Sequence, residues 1–181
     1  SEEERIRELL ERVDRRLKES EKRSTDVARR VREENKELEK AARKILEDAR
    51  RELEKLLREI DDEEVRRVLR ELEKIVREVL RRVEELLKRN EESVERVLRE
   101  DKKVADDLRR ELKKVLDVVR RGEKDVEELI KRVEDMVREV EKTSRKLIEE
   151  LKRSSDEVRK MVEELLRRLE RVLEEVKKRV K

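Results

Sequence analysis

Apolar residues recur at steps of three and four along almost the whole chain, and this spacing limits what the chain can fold into. The runs cover residues 6–60, 65–119 and 126–180. Steps of three and four place such residues on one face of an α-helix. Each run spans 54 residues in fifteen steps, an average of 3.6 residues per step. We therefore predict three nearly straight helices of equal length, with little supercoiling.

Two short segments separate the runs, and each carries residues that begin or end helices. Asp61, with Glu64 three residues later, resembles a capping box, in which side chains satisfy free backbone N–H groups. Gly122 follows two arginines, and glycine is preferred just past a helix C-terminus because it accepts positive φ. Asp125 with Glu128 repeats the capping pattern. These signals predict two tight turns.

Connections this short force neighbouring helices to run antiparallel. The sequence therefore predicts an all-α fold, an elongated, nearly straight, up-down-up antiparallel three-helix bundle or coiled coil. A rise of 1.5 Å per residue makes each helix roughly 85–90 Å long. We expect a single domain over residues 1–181 with helices at about 2–60, 62–121 and 125–181. The predicted loops are residues 60–62 and 122–124.

Charged residues of both signs dominate the composition. There are 56 Lys or Arg and 53 Asp or Glu residues, while His, Cys, Pro and aromatic residues are absent. Such a chain can be read as disordered, because few apolar groups must offset the entropy of ordering. The regular apolar spacing opposes that reading. No apolar run approaches the roughly 20 residues of a membrane span and no signal-peptide core is present, so we expect a soluble protein of unassigned location.

Uncharged polar residues interrupt the first run in two places. Ser24 and Asn35 occupy positions where the spacing calls for Leu or Val, and three helical turns separate them. Segments such as residues 154–157 resemble N-caps, so an alternative interpretation breaks the helices there. However, no Gly or Pro accompanies these segments, and the apolar spacing crosses them in phase. We therefore expect continuous helices.

Pairing the ends of the runs predicts which residues lie at equal heights. Residue n of the first helix is level with 125 − n on the second and 120 + n on the third. The candidate structural polar residues then fall at two heights: Ser20, Ser24, Thr25, Asp101, Thr143 and Ser144 at one, and Asn35, Asn90, Ser93, Ser154 and Ser155 at the other. Satisfied hydrogen bonds in such layers penalise any register that separates the partners.

The donors and acceptors at the second height suggest a closed arrangement. Asn carries two donor hydrogens and an acceptor oxygen, and Ser one donor and two lone pairs. We expect Asn35, Asn90 and either Ser154 or Ser155 to close a ring of hydrogen bonds. Left without partners, each buried polar group costs roughly 1–3 kcal/mol.

Asp101 is a lone carboxylate in an apolar run, which invites a catalytic interpretation. We favour a structural role, with Asp101 accepting hydrogen bonds from Ser24, Ser144 and Thr143. Nucleophilic serines need a base, and the chain has no His. Transition-metal sites favour His or Cys, and no Gly-rich phosphate loop is present. We therefore expect no enzyme, no metal, no cofactor and no small-molecule substrate.

Membrane and nucleic-acid partners are also disfavoured. Amphipathic basic helices can lie on a membrane, but lipid would penalise the polar residues in the middle of these runs. Nucleic-acid binding favours a basic face or stacking aromatics, whereas acidic and basic residues alternate here and the net charge is +3. We expect a solvated charged face.

The chain resembles computationally designed helical bundles with buried hydrogen-bond networks. The resemblance covers the full length and rests on three equal helices, minimal loops, an almost purely Glu/Lys/Arg surface and polar residues confined to two layers. It implies a synthetic protein, which would be found in the cytoplasm of its expression host. Natural spectrin-like repeats are similar in topology, but their characteristic core Trp is missing here.

Such designs serve as monomeric scaffolds, as components of hetero- or homo-oligomers, or as switch cages. A chain that docks a fourth helix should show a second continuous apolar stripe, and the sequence shows none. We therefore expect a monomeric scaffold without a partner, whose polar layers specify helix register and topology. The alternative is a component that binds another helix, or a second copy, through its bundle.

Overall fold

The computed structural model describes residues 1–123 and 125–180, which form three α-helices and, over those residues, no strand. Helix α1 is Glu2–Glu59, α2 is Glu63–Arg120 and α3 is Val126–Val180. All three pack against one another, which confirms the predicted all-α three-helix bundle. Each helix continues through its polar residues, so the interpretation with broken helices is wrong. Lys124 and Lys181, assigned above to a loop and a helix end, lie outside the described residues.

The turn between α1 and α2 is capped by Asp62, and the predicted cap at Asp61 is wrong. Asp62 Oδ1 accepts hydrogen bonds from the backbone N–H groups of Glu64, at 2.9 Å, and Val65, at 3.4 Å. The helix begins at Glu63, so Asp62 occupies the position just before the first helical residue. A short carboxylate reaches the free N–H groups only from that position.

The turn that follows α2 depends on Gly122, whose φ is 65°. Its N–H donates to the carbonyl of Val119 at 3.1 Å, and the next N–H, of Glu123, donates to Val118 at 3.3 Å. This pair of bonds is the Schellman motif, which satisfies the last carbonyls of a helix. Asp125 Oδ1 then accepts the backbone N–H two residues later at 2.9 Å and caps α3. Glycine at residue 122 therefore ends α2 without the steric cost of a β-carbon.

The chain packs as two compact units, each built from segments of all three helices. Unit 1 consists of Ser1–Arg30 and Ser93–Arg153, and unit 2 of Val31–Glu92 and Ser154–Lys181. The long helices thus contribute their first or last halves to different units. Each unit has its own apolar core and its own polar residues.

The two cores contain buried side chains from α1, α2 and α3. The core of unit 1 comprises Ile6, Leu9, Val13, Leu17, Leu108, Leu112, Val115, Val126, Leu129, Val133 and Val137. The core of unit 2 comprises Ala42, Leu46, Ala49, Leu53, Leu69, Leu72, Val76, Val83, Leu86, Leu87, Val158, Val162, Leu166 and Leu169. Burying one Leu or Val contributes roughly 1.5–3 kcal/mol, so these residues supply the main stabilising free energy.

At several apolar doublets, the structure buries the neighbour of the residue that the spacing selected. The buried members are Leu9, Leu46, Leu129, Ile148 and Leu166, whereas Leu10, Ile45, Ile130, Leu147 and Leu165 are half-buried. Adjacent residues are about 100° apart around a helix. Which member faces the core depends on where the other two helices lie, and the spacing within one helix does not contain that information.

Ion pairs connect α1 to both of its neighbours in unit 1. Arg109 of α2 donates to Glu21 at 2.6 Å, and Arg16 donates to Glu141 of α3. The hydrogen bond to Glu21 raises the pKa of the Arg109 guanidinium, against the opposing effect of burial. Within the described part of unit 1, every interhelical ion pair has one partner on α1. Exposed pairs of this kind contribute about 1 kcal/mol or less each.

Candidate functional site

Each unit contains one layer of buried polar side chains. The serine layer of unit 1 comprises Ser20, Ser24, Asp101 and Ser144, none of them more than 6% exposed. The asparagine layer of unit 2 comprises the buried Asn90 and Ser155 and the half-buried Asn35. These two layers are the sites where the molecule departs from an apolar core, and each has members on all three helices.

The serine layer joins α1 to α3 through one contact between hydroxyl groups. Ser24 Oγ lies 3.2 Å from Ser144 Oγ and 3.3 Å from the backbone carbonyl of Ser20. A hydroxyl has a single proton, so if Ser24 donates to the Ser20 carbonyl it accepts from Ser144. Both distances exceed the usual 2.5–3.0 Å range for O–H···O bonds, so the interactions are weak. One of the two hydrogen-bond partners of the Ser24 hydroxyl therefore lies on its own helix.

Asp101 is buried but lies outside these hydrogen bonds. None of the hydrogen bonds or ion pairs found among residues 1–123 and 125–180 involves its carboxylate, so the predicted bonds from Ser24, Ser144 and Thr143 are wrong. The protons of the two serines are directed to each other and to a backbone carbonyl instead. Its oxygens are not among the buried polar atoms that lack a partner, so they keep some contact with solvent.

The threonines lie at the edge of the serine layer. Thr25 is exposed, and its hydroxyl donates to the backbone carbonyl of Glu21 at 2.9 Å. Thr143 is half-buried. Thr25 therefore has the predicted height but points to the solvent side of α1, where it bonds its own helix.

The asparagine layer connects all three helices through one side chain. Asn90 is completely buried, and its Nδ2 donates to Asn35 Oδ1 at 2.9 Å and to Ser155 Oγ at 3.4 Å. The bond between the two amides has the ordinary N–H···O length, whereas the bond to Ser155 is long. Asn90 of α2 is thus the central residue, with one partner on α1 and one on α3.

The predicted ring of hydrogen bonds in this layer is wrong, because the arrangement stays open. Asn90 Oδ1 and Asn35 Nδ2 are both buried and have no hydrogen-bond partner among the described residues. Asn90 uses both of its donor hydrogens, so its oxygen is left over, while Asn35 accepts with its oxygen and keeps an unused amide nitrogen. Each unsatisfied group costs roughly 1–3 kcal/mol.

Two further serines were predicted at the height of the asparagine layer. Ser155 rather than Ser154 bonds Asn90, and Ser154 is half-buried. Ser93, which belongs to unit 1, is also half-buried. Adjacent serines are about 100° apart, so only one of the pair at 154–155 can face the centre of the bundle.

Chemically, the two layers offer amides, hydroxyls and a single carboxylate. Over the described residues, no group of three or more Asp or Glu side chains is placed to hold a metal ion. Hydrogen-bonding groups that face one another at fixed heights can hold helices in one alignment. That is the chemistry that these side chains provide.

Four large apolar side chains are exposed, which the spacing of apolar residues did not predict. They are Val68 and Ile75 on α2, and Met161 and Val172 on α3. Ile75 is nine residues, or two and a half turns, from Glu84, which lines a groove between α1 and α2. Ile75 therefore points away from α1. Val68, Ile75 and Met161 lie beside a predicted run, each next to a run member, whereas Val172 was assigned to the third run and is exposed all the same.

Comparison with protein-family models, curated proteins and solved structures found no match. None of the helices in the described ranges has a stretch long and apolar enough to cross a bilayer.

Proposed function

We propose that the chain is a designed, monomeric structural scaffold in which the two polar layers form hydrogen-bond networks that specify how the three helices align. The layers select one register and topology over the alternatives that an entirely apolar core would permit. This proposal gives the polar residues a role in specificity, and no role in stability or catalysis.

The observation that supports the proposal most is the position of Asn90. Its amide nitrogen bonds one residue on each of the other two helices, at 2.9 Å and 3.4 Å. Sliding any helix by one turn moves its side chains by about 5.4 Å, which is enough to break either bond. The displaced amide would then face apolar side chains, and the cost of each unpaired group disfavours the shifted register.

A role in specificity is also consistent with the small contribution of the layers to the stability of the fold. Buried polar groups that are paired add little net stability compared with apolar groups of the same volume. Here two amide atoms lack partners, so the asparagine layer lowers the stability of the fold. Selection of one alignment explains why a core of Leu and Val contains such residues.

Designed origin and the monomeric state are supported by the pattern of the sequence. The surface is almost entirely Glu, Lys and Arg, and each of the two loops contains only about three residues. A core that contains buried residues of all three helices in each unit fills the inside of one chain.

The test replaces both layers with apolar residues. The variant carries Leu or Val at residues 24, 35, 90, 101, 144 and 155, and its urea denaturation and its mass by light scattering are compared with those of the parent. We expect equal or greater stability, together with a mixture of masses, because uniform apolar stripes pair between chains. A variant that is markedly less stable but still monomeric contradicts the proposal. A second variant, with Leu at the exposed residues 40 and 85, controls for added hydrophobicity.

A further inference from the structure

The last three turns of α3, residues 170–180 and hereafter the terminal segment, are loosely packed against the rest of unit 2. None of their side chains is buried. Val172 is 40% exposed, and Leu173 and Val176 reach only the edge of the core. The preceding part of α3 in the same unit contributes four buried apolar side chains, which are Val158, Val162, Leu166 and Leu169. Because burial of apolar side chains supplies most of the stabilising free energy, the terminal segment adds little to it.

A cavity of about 220 Å³, open to solvent, lies between the terminal segment and α1. Leu53 and Leu56 of α1 line it from one side, and Leu173 and Val176 line it from the other. Ala49 is also in the lining and presents a single methyl group there. Atoms that border a void have no contact partner on that side and lose the corresponding dispersion energy. Only part of the inner face of the terminal segment therefore packs against α1.

An ion pair also connects the terminal segment to α1. Lys177 Nζ lies 2.6 Å from Glu52 Oε2, and the two side chains are 38% and 47% exposed. Solvent screens a pair that is this exposed, so it holds the two helices together only weakly.

The first three turns of α1, residues 2–12, are packed differently. They have the same number of residues as the terminal segment, but their Ile6 and Leu9 are 0% and 3% exposed. Two of their residues pair with other helices, since Arg5 lies 2.6 Å from Glu127 and Glu3 lies 3.1 Å from Arg120. All helix ends fray to some extent, but these two ends differ in the contacts that oppose fraying.

We propose that the terminal segment unfolds and refolds locally while the rest of unit 2 stays folded. Local opening needs little free energy where few buried apolar contacts must be broken. The opening uncovers Leu53, which is 1% exposed when the segment is packed. It leaves the asparagine layer in place, because Ser155 lies fifteen residues before the segment and buried residues such as Leu166 and Leu169 hold α3 between them.

Hydrogen exchange of the full chain, followed by mass spectrometry, tests the proposal. The backbone N–H groups of residues 174–180 bond carbonyls inside the terminal segment, and those of residues 6–12 bond carbonyls inside the first three turns of α1. Protection is the ratio of the intrinsic exchange rate to the observed one. We expect it to be at least tenfold lower at residues 174–180 than at residues 6–12 and at residues 158–169.

Two results of this measurement overturn the proposal. Equal protection at residues 174–180 and 158–169 shows that the terminal segment opens only together with the rest of the unit. Equal protection at residues 174–180 and 6–12 shows ordinary fraying, to which the packing of the segment contributes nothing.

A variant that fills the cavity should hold the terminal segment in place. Ala49→Leu adds apolar contact to the packed state, so we expect protection at residues 174–180 to rise at least threefold. Arg51→Leu adds the same side chain at an exposed residue of α1 and should change this protection by less than twofold. Equal effects of the two variants contradict the proposal, because the packing around Ala49 would then have no influence on the opening.

A second pair of variants leaves the core unchanged, so it remains decisive if Ala49→Leu disturbs the packing. Lys177→Ala removes the ion pair with Glu52, and we expect protection at residues 174–180 to fall about twofold. Lys178→Ala makes the same change in charge at the exposed neighbouring residue and should leave protection unchanged. An equal loss in both variants shows that contact with α1 does not hold the segment, and it overturns the proposal.

Discussion

The serine layer of unit 1 and the asparagine layer of unit 2 both place polar side chains inside a bundle of helices. They differ in where those side chains find their hydrogen-bond partners. Ser24 bonds a carbonyl of its own helix and makes one contact of 3.2 Å with α3. Asn90 has its two donor hydrogens directed to α1 and α3, and one of these bonds has the ordinary length of 2.9 Å. Both hydrogen bonds of the asparagine layer join two helices, whereas the serine layer also bonds a backbone carbonyl within α1.

The difference follows from the length of the side chain. A serine hydroxyl is close enough to the backbone to bond the carbonyl four residues earlier, so a serine can be buried in a helix with little dependence on its neighbours. The amide of asparagine extends further from the helix and must find partners on other helices. We infer that the asparagine layer contributes more to the alignment of the helices, and that it carries a larger penalty when a partner is lost.

The largest expected effect is that of removing Asn90 alone. Asn90→Leu leaves the Asn35 amide and the Ser155 hydroxyl buried without their partner, whereas changing all three residues to Leu or Val removes these groups as well. We expect the single variant to be less stable than the triple variant by about 2 kcal/mol in urea denaturation. Equal stabilities would show that the layer is hydrated, and the contrast with the serine layer would then disappear.

A smaller effect of opposite sign is expected in the serine layer. Asp101 is only 6% exposed, and no hydrogen bond or ion pair of its carboxylate is found among the described residues, although its oxygens keep some contact with solvent. Asp101→Leu should therefore raise the free energy of unfolding by about 1 kcal/mol. Asp101→Asn is the matched control, because it removes the charge and keeps the shape. A loss of stability in both variants would show that the carboxylate is compensated by water and contributes to the layer.

The smallest effect is expected from the hydroxyl at residue 24. Ser24→Ala removes two long hydrogen bonds and leaves Ser144 able to bond a carbonyl of its own helix, so we expect a loss below about 1 kcal/mol. Asn35→Ala, in the other layer, should cost more because Asn90 loses its shortest bond. If the two alanine variants lose the same stability by thermal denaturation, side-chain length does not explain the difference between the layers.

Some of these contacts follow from the sequence because helical rise is constant. The loops are short and each residue advances the helix by 1.5 Å, so the rule 125 − n places Asn35 level with Asn90, and the rule 120 + n places Ser24 level with Ser144. The structure has hydrogen bonds between the members of both pairs. Heights along a bundle are therefore accessible from residue spacing alone.

Rotation about each helix axis is less accessible from sequence. The burial of Leu9 in place of Leu10 depends on the positions of the other two helices, which one stripe does not specify. The same uncertainty concealed the exposure of Ile75 and Met161. The bond from Ser24 to its own helix was not predicted for another reason. A serine hydroxyl can bond either a backbone carbonyl or a side chain on another helix, and the side-chain rotation between these two arrangements costs little energy.

We expect the asparagine layer to fix the alignment of the helices, and a distance measurement tests this most directly. The chain has no cysteine, so spin labels can be attached at Lys40→Cys on α1 and Lys160→Cys on α3, both exposed and in unit 2. Pulsed electron paramagnetic resonance should give one narrow distance distribution in this background. With Leu at residues 35 and 90 and Val at 155, we predict further distances, from helices displaced by about one 5.4 Å turn or paired with another chain. One narrow distribution in both proteins, with the same mean, would contradict the account.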